Sequence, residues 1–156
     1  MKHIPTNLVL AALLYALPQL AFCSEESILE PVEVSLRADA GNPFGEVSVT
    51  IRTKGRATER RISDIKLQVG GKSVRVPEKA YRDLASPLLN TVELRTDPGY
   101  DKEPWLYVVF ELGHRTADGQ WRPKRVHIAY QAGRIESRSI DTPNPDGSST
   151  HQTEKL

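Results

Sequence analysis

The sequence contains a single cysteine, Cys23, and it lies near the amino end of the 156-residue chain. If processing removes Cys23, the mature protein has no thiol, which excludes disulfide bridges, a cysteine nucleophile and thiolate metal ligands. Long apolar runs are also missing. The longest, residues 8–17, holds about half of the roughly 20 apolar residues that a membrane-spanning helix needs. We therefore predict no stable transmembrane span.

An excess of charge of one sign is missing as well. The chain has 21 basic and 20 acidic side chains, and removal of residues 1–23 takes away one basic side chain, Lys2, and no acidic one. Proteins that bind nucleic acid through its phosphates carry a net positive field or a basic domain. The balanced composition therefore predicts no nucleic-acid partner.

Residues 1–23 have the pattern of a secretory signal peptide. Lys2 precedes the apolar run, Pro18 ends it, and Ala21 and Cys23 supply small residues before a cut at Ser24. The short basic segment is typical of bacteria. We therefore expect a periplasmic or secreted protein after cleavage.

A second interpretation concerns Cys23 itself. Leu20-Ala21-Phe22-Cys23 resembles the lipobox of bacterial lipoproteins, in which the cysteine becomes the acylated first residue. The position before that cysteine is normally small, and here it is Phe22. The resemblance implies a lipoprotein anchored at Cys23 as the alternative to the soluble form, which we favour.

The densest run of aromatic and β-branched residues, 104–113, predicts a central strand. Its two faces are both apolar, so both must be covered. The alternating run 125–130 follows, and Asp118-Gly119 between them is typical of a two-residue hairpin turn. Such a turn sets a register in which opposed residue numbers sum to 237.

That register has consequences for side-chain placement. It pairs Tyr107 with Tyr130 and Phe110 with His127, so that His127 lies beside Phe110 and Leu112. We therefore predict that His127 is a hydrogen-bonded core histidine.

Alternating apolar and polar residues predict seven to eight short strands in all, at 32–37, 47–52, 65–69, 74–76, 92–95, 104–113, 125–130 and 135–140. The last of these is mostly polar and is expected at a sheet edge. Residues 77–84 change to helical spacing and predict one short helical insert. The pattern favours a single-domain, all-β antiparallel β-sandwich over residues 24–140, with a small β-barrel as the alternative.

Residues 141–156 are rich in Pro, Asn, Ser and Thr and poor in apolar side chains. Such a segment buries little surface to offset the entropy of ordering. We predict a disordered tail.

No pattern predicts a cofactor, a metal site or a catalytic residue. The nearest cluster, Glu111 with His114 and Asp118, has unspecific spacing, because strand residues three apart face opposite ways. No Gly-x-Ser-x-Gly or Ser-x-x-Lys signature occurs. A hydrolase using that cluster is the weakest of three functional hypotheses.

The favoured hypothesis is a non-enzymatic protein that docks another envelope or secreted protein, of the inhibitor, immunity or assembly-accessory type. The segment 113–124 is predicted to form the docking surface, since Trp and Arg dominate interface hot spots. The candidate residues are Trp121, Arg122, Lys124, Arg115 and His114.

The alternative hypothesis is a binder of an anionic small molecule or glycan. Basic residues crowd segment 52–61 and the last two predicted strands, and they are expected either to form a basic face or to pair with acids across strands. The partner identity and the oligomeric state are left open by the sequence.

Overall fold

The structure is a computed structural model that describes residues 32–56, 59–99 and 103–156. The predicted signal peptide and Cys23 lie outside these residues. No helix within the described ranges is both long and apolar enough to cross a membrane.

The described chain forms two antiparallel sheets, one of four strands in the order β1-β2-β3-β4 and one of five in the order β5-β6-β7-β8-β9. The strands are β1 (Glu33–Asp39), β2 (Glu46–Lys54), β3 (Arg61–Val69), β4 (Lys72–Arg75), β5 (Pro87–Asp97), β6 (Trp105–Leu112), β7 (Lys124–Gln131), β8 (Arg134–Pro143) and β9 (Ser149–Lys155). The sheets are unclosed, which confirms the sandwich over the barrel. The described strands number nine rather than seven to eight.

The core lies between the two sheets and follows the alternation seen in the sequence. Along β2, Val47, Val49, Ile51 and Thr53 are buried, while the residues between them reach the outer face. Opposite them, β6 and β7 contribute apolar side chains that are less than 2% exposed: Leu106, Val108, Phe110, Val126 and Ile128. Period-two burial on both sheets is the pattern of an aligned β-sandwich.

The predicted register of the β6–β7 hairpin is wrong by one residue. Leu106 opposes Tyr130 and Phe110 opposes Val126, so opposed numbers sum to 236. The turn has three residues rather than two: Thr116 and Gln120 close it through the Thr116 N–H and the Gln120 carbonyl at 2.9 Å, and Gly119 has φ +79°. A three-residue turn with a left-handed glycine is the next commonest hairpin connection.

This shift moves His127 out of the core. It opposes Val109 on the face of the five-stranded sheet that points away from the four-stranded one. The predicted core histidine is therefore an outer-face residue.

The predicted two-turn helix is a single 3₁₀ turn, Glu78–Ala80. Ala80, Tyr81 and Leu84 are buried as their spacing predicted. A 3₁₀ turn buries the same residues with fewer of them in helical conformation, and no α-helix occurs among the described residues.

The predicted disordered tail is also wrong. Asp141–Pro143 completes β8, and Ser149–Lys155 forms β9, which pairs with β8 in an unbroken register from Ser137↔Lys155 to Pro143↔Ser149. The segment 135–140, expected at an edge, is therefore an interior strand. Strand β9 buries little surface and is held by its backbone hydrogen bonds to β8 and by side-chain hydrogen bonds. It therefore does not need apolar residues.

Candidate functional site

The segment that joins β6 to β7 is an extension of their hairpin, and we call residues 113–123 the arm. An isolated bridge pairs Arg115 with Trp121, and the Arg122 N–H donates to the His114 carbonyl at 3.1 Å. Thr116 is buried, and its hydroxyl donates to the Gln120 carbonyl at 3.1 Å and to the Asp118 carboxylate. The arm is therefore a hydrogen-bonded hairpin tip rather than an open loop.

Trp121 is 56% exposed, the most exposed of the large apolar side chains among the described residues. Its indole lies over Gly113: a Cβ added there would be 2.7 Å from Trp121 Cη2. The glycine thus leaves room for the ring, and the backbone supports the ring from one side. An exposed tryptophan held in one place loses little conformational freedom on binding, which is the property of an interface anchor.

The two arginines of the arm have different surroundings. Arg115 is exposed, and its Nη1 donates to the Gly119 carbonyl at 3.2 Å. Arg122 is half-buried; its Nη1 donates to the Asn144 carbonyl at 2.8 Å and its Nη2 to Gln120 Oε1 at 2.9 Å. Arg122 therefore braces the arm against the β8–β9 turn, while Arg115 beside Trp121 is accessible to a partner.

Lys124 and His114 complete the predicted surface, and both are half-buried. Burial lowers the pKa of His114, and the positive charge of Lys124 lowers it further. His114 is therefore neutral near pH 7. The positive charge of the surface comes from Arg115, Arg122 and Lys124, offset by Asp118, whose pKa is lowered chiefly by the Thr116 hydroxyl.

The side chains of the hydrolase hypothesis have separate partners. Glu111 faces Arg125 across the hairpin, with Nη2 and Oε1 3.6 Å apart, and Asp118 accepts from Thr116 and from the Gln120 N–H. Within the described ranges, no group of three or more His, Cys, Asp or Glu side chains is arranged to hold a metal ion.

Sequence reasoning missed a polar row on the outer face of the five-stranded sheet. Asp141 Oδ2 lies 3.2 Å from His127 Nε2, and its Oδ1 lies 2.6 Å from His151 Nδ1. Thr153 Oγ1 is 2.8 Å from His151 Nε2. Because a carboxylate only accepts, His151 carries its proton on Nδ1 and its Nε2 accepts from Thr153 when the ring is neutral. We call these four residues the His–Asp row.

The order hydroxyl, imidazole, carboxylate is also that of a catalytic triad. The His151 side chain is 60% exposed, and catalysis by such a relay depends on fixed donors in a site from which water is excluded. We interpret the row as a tie between β7, β8 and β9. His151 and Thr153 are two residues apart, the spacing of side chains on one face of a strand. No strand was predicted there because the segment is poor in apolar residues.

The row makes the stability pH-dependent. Burial lowers the pKa of His127, and this outweighs the opposing effect of Asp141. Burial acts to raise the pKa of Asp141, but His151 and His127 outweigh it and hold that pKa below its usual range. The unfolded chain thus takes up a proton at His127 before the native protein does, so stability falls as the pH drops below about 6.5.

We expect the substitution His127→Gln to flatten this dependence. The measurement is urea unfolding at pH 7.5, 6.5 and 5.5, where the wild-type unfolding free energy should decline and that of His127→Gln should decline less. Asp141→Asn is the control, because it removes the group that raises the pKa of His127 and therefore keeps the decline. Equal slopes for wild type and His127→Gln would contradict the assignment.

Four of the basic residues predicted to form a face are paired with acids, Arg52, Arg125, Arg134 and Arg138. Arg134 Nε lies 2.6 Å from Glu136 Oε1, and Arg138 bridges Asp83 and Glu154 at 2.5 and 2.6 Å. Arg52 pairs with Glu33 across β1 and β2. Pairing thus accounts for Arg125 and Arg138 of the last two predicted strands, whereas in segment 52–61 only Arg52 has an ion pair among the described residues.

No protein-family model, no curated protein and no solved structure matches this chain.

Proposed function

We propose that this β-sandwich is a small non-enzymatic binding protein, periplasmic or secreted after signal-peptide cleavage, that docks another envelope or secreted protein through the arm. The observation that carries the proposal is Trp121, 56% exposed yet seated on Gly113 in a hydrogen-bonded hairpin tip. Exposed tryptophan is costly in water and is concentrated at interface hot spots. Inhibitor, immunity and assembly-accessory proteins all act by such docking.

The positive charge of the arm indicates which kind of partner surface would fit it. Arg115 pairs with Trp121 through an isolated bridge, and Lys124 follows Trp121 at the start of β7. Neither forms an ion pair with a carboxylate among the described residues, and Arg122 donates to a carbonyl and an amide oxygen. A partner with an apolar pocket for the indole and acidic groups around it complements this surface.

The test is crosslinking and purification of the tagged mature protein from the envelope of its own host, followed by affinity measurement on the partner recovered. Trp121→Ala should weaken binding about 30-fold or more, the usual effect of removing a hot-spot anchor. Arg134→Ala is the control, since Arg134 is an exposed arginine paired with Glu136 at the start of β8. It should leave affinity unchanged.

A second variant tests whether binding depends on the position of the Trp121 indole over Gly113. In Gly113→Ala the new methyl group would displace the indole, while the exposed ring can move without unfolding the arm. We expect weaker binding with nearly unchanged stability. Full affinity in both Trp121→Ala and Gly113→Ala would remove the arm from the proposal.

The alternative, a binder of an anionic small molecule or glycan, is supported by one feature of the outer face. Trp105 and Tyr107 lie nearly parallel, with ring centroids 6.2 Å apart, and Arg95 opposes Tyr107 on β5. Aromatic rings beside hydrogen-bonding groups suit the faces of sugar rings. Glycan-array binding that is lost in Tyr107→Ala and retained in Trp121→Ala would favour this function.

A further inference from the structure

Strand β9 is an open sheet edge. It is the outermost strand of the five-stranded sheet, and all seven of its residues are exposed. Its sequence contains no proline or glycine, and its pairing with β8 contains no bulge. Edge strands are commonly protected by such interruptions because they offer unpaired backbone groups to another chain. From Ser149 to Glu154 a partner strand meets no such interruption.

The hydrogen bonds at the two ends of the ladder show which backbone groups are free. The Asn144 N–H donates to the Ser148 carbonyl at 2.8 Å, and the Leu156 N–H donates to the Glu136 carbonyl at 2.9 Å. Antiparallel bonding alternates, so even-numbered residues of β9 bond to β8 and odd-numbered residues point outward. His151, Thr153 and Lys155 therefore present their backbone groups at the edge. In agreement, Lys79 Nζ reaches the Lys155 carbonyl from outside the ladder at 3.4 Å.

The carboxyl end of this edge is basic. Two exposed cations meet there, Lys79 of the 3₁₀ turn and Lys155 of β9 itself, and neither forms an ion pair within the described ranges. The neighbouring acids Asp83 and Glu154 are already held by Arg138, which leaves Glu78 as the exposed acid of the 3₁₀ turn. Strand β4 packs against β8, so both sheet edges lie on the same side of the sandwich.

We propose that the edge of β9 binds an extended acidic segment of a partner protein, which adds a sixth strand to the sheet. Backbone bonds to His151 and Thr153 supply the pairing, and Lys79 and Lys155 at the carboxyl end of the strand favour acidic side chains. This second docking element goes beyond the arm and does not depend on it. The arm lies near the first residues of β9, because Arg122 contacts Asn144 in the turn that leads into the strand.

The other sheet edges fit such a segment less well. On β1, Arg37 and Glu33 already pair with Glu46 and Arg52 of the neighbouring strand. On β5, the pairing with β6 is interrupted between Leu88 and Glu93.

The test uses two synthetic nine-residue peptides labelled with fluorescein, one alternating glutamate with valine and one alternating lysine with valine. Fluorescence anisotropy with the mature protein should show binding of the glutamate peptide about tenfold or more tighter than of the lysine peptide, weakening at high salt. Hydrogen exchange should slow at the amides of His151 and Thr153 when the glutamate peptide is present. Absence of binding, or equal binding of both peptides, would overturn the proposal.

Thr153→Pro removes an outward N–H and leaves the bonds to β8 in place. It should weaken glutamate-peptide binding about tenfold, whereas Thr153→Ala, which keeps the N–H, should not. If Thr153→Pro does not fold, the exchange pattern of the wild-type protein decides. Sedimentation showing self-association that Thr153→Pro abolishes would instead make the edge an interface between copies. Trp121→Ala should bind the peptide normally, so failure of the arm and failure of the edge are distinguishable.

Discussion

Replacement of Phe110 by alanine is expected to destabilise the protein by about 3–5 kcal/mol, the usual cost of truncating a buried aromatic residue. Phe110 is fully buried on β6, between β5 and β7, and packs in the core shared by the two sheets. Neighbouring strands on both sides limit the collapse of the cavity, so we expect the upper part of this range. Urea denaturation of the mature protein measures it.

Phe110→Leu and Tyr107→Ala are the controls for this prediction. The first keeps most of the buried volume, and the second truncates a half-buried ring three residues away on the outer face. Both should cost clearly less than Phe110→Ala. A loss below about 1 kcal/mol for Phe110→Ala would show that the inner face of β6 does not form the core.

Ending the chain after Pro143 is expected to lower the free energy of unfolding by about 3 kcal/mol. The truncation deletes β9 and removes the partners of side chains on β8. The Arg138 side chain, only 11% exposed, loses Glu154 and keeps Asp83 alone. Asp141 loses His151, and Leu156 no longer packs against the core. Thermal unfolding should show a drop of about 10 °C.

Proline substitutions distinguish an ordered β9 from a tail without structure. Gln152→Pro removes a ladder bond to β8, whereas Thr153→Pro removes an N–H that points outward. The first should destabilise the protein and the second should not. If neither substitution nor the truncation changes the melting temperature, β9 is not part of the folded domain.

The arm and the β9 edge suggest a common arrangement for recognition. Arg122 joins the arm to the β8–β9 turn, so the exposed indole and the first residues of β9 lie at the same end of the five-stranded sheet. A partner that inserts an apolar pocket over Trp121 and extends an acidic strand along β9 would engage both. The separate variants Trp121→Ala and Thr153→Pro then report the two contributions independently.

Most of the fold was predictable from local sequence. The alternation of Val47, Val49 and Ile51 placed β2 and its buried face, and the apolar run at 104–113 placed β6 with strands on both sides. Side-chain period two is a local property and needs no knowledge of the partner strand. For the candidate surface, the sequence indicated Trp121 and Arg115 as residue types. It did not indicate that the Trp121 ring lies over Gly113 or that Arg122 bonds to the β8–β9 turn.

The errors share one physical origin. Asp118-Gly119 is compatible with turns of two and of three residues, and only closure between Thr116 and Gln120 decided the length and therefore the position of His127. Strand β9 has no apolar alternation because β8, rather than a second sheet, orders it. Such pairing depends on residues far along the chain, which a local pattern does not contain.

By itself, then, the sequence determined the β-sandwich class, the buried faces of most strands and the chemistry of a tryptophan flanked by cations, because these follow from side-chain type and period. The tertiary structure alone decided the register of the β6–β7 hairpin, the His–Asp row and the open basic edge of β9. Each of those arises from backbone pairing between segments whose geometry is fixed only when the strands come together.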